Sequence, residues 1–217
     1  MSFGYPVLLE LAGRRCLVVG ERAVVEGKLE GLLSAGADDV LVIVEGSTHT
    51  MDGLEGDPRV RVERRRWQPS DLDGAFLVVG WCREPDDRDR LAFEARSRGA
   101  LVNVIDDVPR CDFAAPAVVR RGELVVAVGT GGASPALARK LREELEARFA
   151  PCWAELVDLL RDVRTRVTPM LPELADRSRR WQAVLDVSEA EHLVGEGRCE
   201  ELRQRLIDRL IGTERRA

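Results

Sequence analysis

Apolar residues along this chain gather in short unbroken runs, and the stretches between them carry helical spacing. The runs are RCLVVG (15–20), VLVIV (40–44), VRVERR (60–65), AFLVVG (75–80) and ALVNVIDD (100–107), with amphipathic segments at about 23–35 and 87–98. VLVIV and FLVVG are rich in β-branched residues and lack polar alternation, so both faces of each strand should be covered, as in a parallel sheet packed between helices. The order of elements predicts a doubly wound α/β fold, which binds ligands beyond the carboxyl ends of its strands.

Past PRCDFAAP a further strand, ELVVAVG (123–129), leads into TGGASPALARKLREELEARF. Ser134 is placed to cap the coming helix, Pro135 suits its first position, and Leu137, Leu141 and Leu145 share one face. From Pro151 onward the spacing is helical. Trp153, Leu156, Leu160, Val163 and Val167 form one set, Trp181, Val184 and Leu185 a second, and Leu202, Leu206 and Leu210 a third, with breaks at TPMLPEL and GEG. A small all-helical domain is expected there.

Length and charge narrow the function classes. The 217 residues suit one ordinary domain plus a smaller appendage, and 45% hydrophobic with 33% charged residues describes a globular protein in water. The amino terminus lacks a leader pattern and no apolar run reaches about 18 residues, so the expected address is cytoplasmic, with no membrane partner. A net charge of −5 argues against nucleic acid, and Arg64, Arg65 and Arg66 read as a solvated strand edge. The five cysteines are scattered without a CxxC, which favours buried free thiols and no metal site. The two histidines, His49 and His192, leave carboxylates as the expected agents of proton transfer.

The stretch LVVGERAVVEGK (17–28) has the form of a nucleotide-binding strand, turn and helix. A dinucleotide turn uses one glycine to bend, a second to let the pyrophosphate approach and a third to pack helix on strand. Gly20 fills the first place, whereas Arg22 takes the second and Ala23 and Val24 follow. The Arg22 side chain either fills the pyrophosphate's space or swings out as a cation. Glu45, directly after Val44 at the second strand's end, sits where an acid commonly accepts ribose hydroxyls. An ordinary strand-turn-helix without ligand has the same local pattern.

Together, YPVLLELAGRRCLVVG, the stretch from VNVIDDVPRCDFAAP through GTGGASPALARKLREELE, and the helical tail resemble the precorrin-2 dehydrogenase family of sirohaem synthesis. That family occurs alone or as the amino-terminal module of sirohaem synthase, where iron insertion can accompany the oxidation. The most specific signals are Asn103 to Asp106 and Thr130 to Pro135, in that order and separation. The resemblance implies an NAD-binding Rossmann-like domain over 1–112, a dimerisation segment over 113–150 and a helical domain over 151–217. It also implies a homodimer with its active site in a cleft between them. Residue by residue, it assigns NAD to Gly20, Arg22, Ala23, Val24, Val44, Glu45 and Gly80. The tetrapyrrole substrate, precorrin-2 or sirohydrochlorin, falls to Asn103, Thr130, Gly131, Gly132 and Ser134, and catalysis to Asp106.

In that reaction the macrocycle loses a hydride to NAD and a proton to a base, the role implied for Asp106, whose proton affinity Asp107 would raise by like-charge repulsion. A turn residue ahead of Val108-Pro109 is the alternative for Asp106. Arg120, Arg121 and Arg139 are candidate partners for the substrate's carboxylates, or else a solvated hairpin. Two departures from the family pattern fall at the cofactor site: three glycines become Gly20-Glu21-Arg22, and an Ala-Thr-Asp stretch becomes Gly80-Trp81-Cys82-Arg83. They leave open a chelatase that has lost the oxidation, and a tetrapyrrole-binding protein without catalysis.

Overall fold

A computed structural model describes residues 4–45 and 56–212, without the side chains of residues 22 and 23. The chain forms two compact units, Met1–Ala115 and Pro116–Ala217. In the first, β1 (Arg15–Gly20) leads to α1 (Arg22–Ser34), β2 (Asp39–Val44), β3 (Val60–Arg64), β4 (Leu77–Gly80), α2 (Pro85–Ser97) and β5 (Leu101–Val104). The five strands lie in the order β3-β2-β1-β4-β5, and every neighbouring pair is parallel.

Alternate strand residues serve opposite faces of this sheet. Leu17, Val19, Leu41, Ile43, Val78, Val102 and Val104 pack with Leu91, Ala92 and Ala95 of α2. Cys16, Val18, Val40, Val42, Val44, Leu77 and Val79 pack with Val25 and Leu29 of α1. Both faces are buried, so the sheet is doubly wound, and the unbroken apolar runs are explained. Arg65 departs from the expected solvated edge. Its guanidinium grips the buried Asp71 at 2.7 Å through each of two nitrogens, fixing the short 3-10 turn Pro69–Leu72. That contact holds the Asp71 carboxyl below the usual carboxylate range.

The second unit begins with an antiparallel ribbon, β6 (Ala117–Arg121) and β7 (Leu124–Val128), followed by α3 (Pro135–Arg148). Ser134 caps α3 as expected, its hydroxyl accepting the Leu137 N–H at 3.1 Å. The leucine face of α3 is only partly covered: Leu137 is 49% exposed, and Leu141 and Leu145 are half-buried. Helices α4 (Trp153–Val167), α5 (Leu174–Val184), α6 (Val187–Gly195) and α7 (Cys199–Ile211) complete the unit. Their core joins Leu156, Leu159, Val163 and Val167 to Ala190, Leu193 and Val194 and to Leu202, Leu206 and Leu210. All five cysteines are free, but Cys152 and Cys199 are half-buried where full burial was expected. Among the described residues no helix is long and apolar enough to cross a membrane.

Candidate functional site

The carboxyl edge of the parallel sheet is where its topology concentrates chemistry. From β1 the order runs outward through β2 to β3, and from β4 it runs the opposite way to β5, so the order reverses between β1 and β4. That reversal opens a crevice beyond the strand ends. Gly20 and Gly80 close the two strands, and the turns after them are in contact: a Cβ on Gly20 would stand 3.3 Å from the Trp81 Cβ. Gly20 has φ 155°, a backbone that a side chain disfavours.

Gly80 has a packing task that the sequence did not suggest. A Cβ there would lie 2.2 Å from the Leu91 Cδ2, inside the core under α2. It thus serves the close packing of helix on strand that the third glycine of a dinucleotide turn usually supplies. Val44 is likewise a core residue, 2% exposed, and can meet a ligand through its backbone alone. Val24, half-buried, lies in the first turn of α1; the expectation for the Arg22 and Ala23 side chains falls outside the described residues. Glu45 stands at the end of β2 as expected. Its N–H donates to the Gly20 carbonyl at 3.1 Å, and its Oε1 accepts the Trp67 N–H at 3.3 Å.

These parts fit a dinucleotide. The first turn of α1 holds no acid and Glu21 does not spend its side chain capping it, so the N–H groups there keep their partial positive charge. The first turn of α2 differs, because Asp86 and Asp87 already complement its dipole. Sequence reading missed the clasp between the two turns: Glu21 Oε1 meets Arg83 Nη2 at 2.7 Å. It also missed Arg88, which donates to the Cys82 carbonyl at 2.7 Å and the Arg83 carbonyl at 3.1 Å. The Glu21–Arg83 pair joins segments far apart in sequence, and the Arg88 bonds, though they span only five and six residues, go to backbone carbonyls that residue type does not single out. The Cys82 thiol in this loop is pushed up to about 11 by burial, which keeps it protonated and unreactive.

The exit of β5 is pinned from several sides. Asp107 receives Arg110 Nη1 at 2.9 and 2.8 Å, and Arg110 turns its other edge to Asp89 at 2.7 and 2.8 Å. The Arg110 guanidinium holds the Asp89 carboxyl below its ordinary range. Asp107 is thus the anchor of an ion-pair chain, and its charge is met by a guanidinium where the sequence suggested a free neighbour repelling Asp106. Asn103 donates its amide to the Phe113 carbonyl at 2.7 Å. Asp112 accepts the Val102 N–H at 3.0 Å, and the Cys111 thiol lies 3.1 Å from the Val104 carbonyl. Within this brace Asp106 is exposed and has φ 61°, the one left-handed residue other than glycine among those described.

In the other unit, the Thr130-to-Ser134 turn is built as its sequence suggests, with Gly131 at φ 60° and Gly132 at φ 84°. The Thr130 hydroxyl accepts the Ser134 N–H at 3.2 Å and donates to the Ser134 carbonyl. Thr130 and Ser134 therefore both organise the helix start. Arg120 and Arg139 are exposed, but Arg121 is neither a substrate clamp nor solvated: it donates to the Phe149 and Glu146 carbonyls at 2.8 and 3.0 Å, closing the end of α3.

Comparison with known proteins gives this arrangement a family. A model described as NAD(P)-binding matches residues 7–117, and one described as "Sirohaem biosynthesis protein central" matches residues 121–148. Relatives include the siroheme synthase of Pseudomonas entomophila, 36% identical over 94% of this chain and 44% of that protein. The siroheme synthase of Methylococcus capsulatus is 34% identical over 94% of this chain and 42% of its own length. The chain thus spans about two fifths of the length of these curated relatives. A solved structure titled SirC, precorrin-2 dehydrogenase, shares the fold with a TM-score of 0.70 at 24% identity, over 94% of this chain and 98% of that one. The chain belongs to the NAD(P)-binding family matched over residues 7–117, and the resemblance to sirohaem-synthesis proteins expected from its sequence is borne out.

Proposed function

We propose that this chain oxidises precorrin-2 to sirohydrochlorin with NAD as acceptor, and that Asp106 takes the proton. The observation that carries the reading is the backbone of Asp106, held left-handed at a parallel strand's carboxyl end. Such a conformation is uncommon outside glycine, is adopted most readily by aspartate and asparagine, and recurs at catalytic positions as well as in turns. The siroheme synthase relatives and the fold shared with a precorrin-2 dehydrogenase support the substrate class.

The nicotinamide, when bound, is the acceptor for the hydride that leaves the macrocycle. The chain's own residues do the rest. Gly20 and the start of α1 receive the pyrophosphate, and Glu45 accepts the ribose hydroxyls; its negative charge favours NAD over a 2′-phosphorylated cofactor. Asp106, exposed at the end of β5, accepts the proton, while Arg110 holds Asp107 and thereby fixes the backbone that presents Asp106. Gly131 and Gly132 offer backbone N–H groups to substrate carboxylates, with Asn103, Thr130 and Ser134 shaping the binding segments. The partly open leucine face of α3, with Val118 38% exposed on the adjoining ribbon, supports a homodimer through 113–150. A cytoplasmic location accords with this soluble chemistry.

The deciding experiment supplies purified protein with precorrin-2 and NAD and follows sirohydrochlorin by absorbance. Wild type forms it, and Asp106→Asn does not while its circular dichroism is unchanged. Full turnover by that variant removes Asp106 from the reaction.

A further inference from the structure

The clasp between Glu21 and Arg83 joins the turns that follow β1 and β4, and it puts two opposite charges where a dinucleotide turn usually has glycine. Glu21 directly follows β1 and Arg83 lies three residues beyond β4, the two strands that flank the reversal in strand order. Their 2.7 Å contact is exposed, with the Arg83 side chain 76% and the Glu21 side chain 45% accessible. Exposed pairs of this kind are weak, so a stronger anion can take the arginine at little cost. The Arg83 backbone does not share that freedom, because the Arg88 guanidinium bonds to the carbonyls of both Cys82 and Arg83. An exposed guanidinium is thus presented from a braced loop, next to a helix with Glu21 at its N-cap and no acid in its first turn.

We infer that Arg83 is a cofactor-holding cation, exchanging Glu21 for the dinucleotide pyrophosphate when the ligand enters, and that Glu21 competes with the ligand for it. This inference rests on the cofactor reading above. It explains how a turn with one glycine where two or three are usual can keep its ligand. Backbone N–H groups that the pyrophosphate would otherwise approach are supplemented by a charged donor, and charge-assisted bonds to phosphate are the stronger kind. The two partners then have opposite effects on affinity. Arg83→Ala removes the donor and leaves the Glu21 carboxylate facing the pyrophosphate, whereas Glu21→Gln removes the competitor and frees the donor.

Calorimetric titration of NAD, NADP, ADP and adenosine against wild type, Arg83→Ala, Arg83→Lys and Glu21→Gln tests this without any turnover. Arg83→Ala weakens NAD, NADP and ADP alike by about tenfold, leaving adenosine unchanged; Arg83→Lys recovers part of the loss. Glu21→Gln tightens the same three ligands by about threefold. A clasp that is only structural makes Arg83→Ala and Glu21→Gln shift affinity in the same direction, and that result overturns the inference. So does unchanged NAD binding in Arg83→Ala, or a loss confined to NADP, which would place Arg83 on a 2′-phosphate. If none of the four proteins binds any nucleotide, Glu21→Gln included, the cofactor reading itself falls and this one with it.

Discussion

Two turns at the carboxyl edge of the same sheet are held in opposite ways. The exit of β5 is secured by side chains on both sides: Asp107 and Asp89 share Arg110, Asp112 takes the Val102 N–H, and Asn103 reaches the Phe113 carbonyl. The turn after β1 depends on glycine geometry at Gly20 and one exposed clasp to Arg83. The contrast teaches which part of the proposed reaction tolerates change. A proton acceptor must be held within fractions of an ångström of its target, and the bracing around Asp106 supplies that. A phosphate can be met by any well-placed donor, so the cofactor turn can exchange glycines for a guanidinium and still serve its ligand.

The sharpest test of that contrast separates chemistry from strain at Asp106. Asp106→Asn keeps a residue that tolerates the left-handed backbone and removes the base, so turnover should fall by about a hundredfold or more while the melting temperature stays within a degree or two. Next in size is Gly80→Ala, which drives a methyl group into the Leu91 side chain. Denaturant unfolding should register a loss of about 2 kcal/mol, and a fully stable variant would show that α2 can move off the strand. Asp106→Ala adds the backbone penalty that asparagine avoids, and it should be about 1 kcal/mol less stable than Asp106→Asn in the same assay. Glu21→Gln should change stability by less than about 0.5 kcal/mol, as befits an exposed pair, and a larger loss would mean that both turns are rigid.

The smallest effect concerns acid. Arg110 lowers the Asp89 carboxyl relative to the unfolded chain, so the stabilisation it contributes is present above the ordinary aspartate value near 4. It is lost as pH falls from there through the lowered folded value. Amide protection at 107–112, taken relative to the intrinsic exchange rate, should therefore fall below about pH 4 in wild type, and Asp89→Asn should abolish that added sensitivity.

Much of the fold could be read from local pattern. Unbroken runs such as VLVIV announced strands buried on both faces, and the Ser134-Pro135 start of α3 behaves as its residues require. The site was legible where chemistry sits in contiguous residues, as in Asn103 to Asp106 and Thr130 to Ser134. It was less legible where a residue's role depends on one particular contact, near or far along the chain. Gly80 also packs against Leu91; Arg65 looked solvated and grips Asp71; Arg121 looked like a hairpin or clamp residue and closes α3. Each is governed by a partner that residue type and spacing do not specify.

By itself, then, the sequence determined the kinds of element and their order, because hydrophobic periodicity and capping act over a few residues. It also placed Asp106 at a strand's end. Tertiary structure decided the charge pairs that join separate elements, such as Glu21 with Arg83 and Asp89 with Arg110. Arginine and carboxylate side chains find one another through space, once the sheet has brought the ends of β1 and β4 together, and likewise β5 with α2. Whether Arg83 reads as a surface charge or as a ligand's partner depends on what stands within a few ångströms of it, and folding settles that neighbourhood.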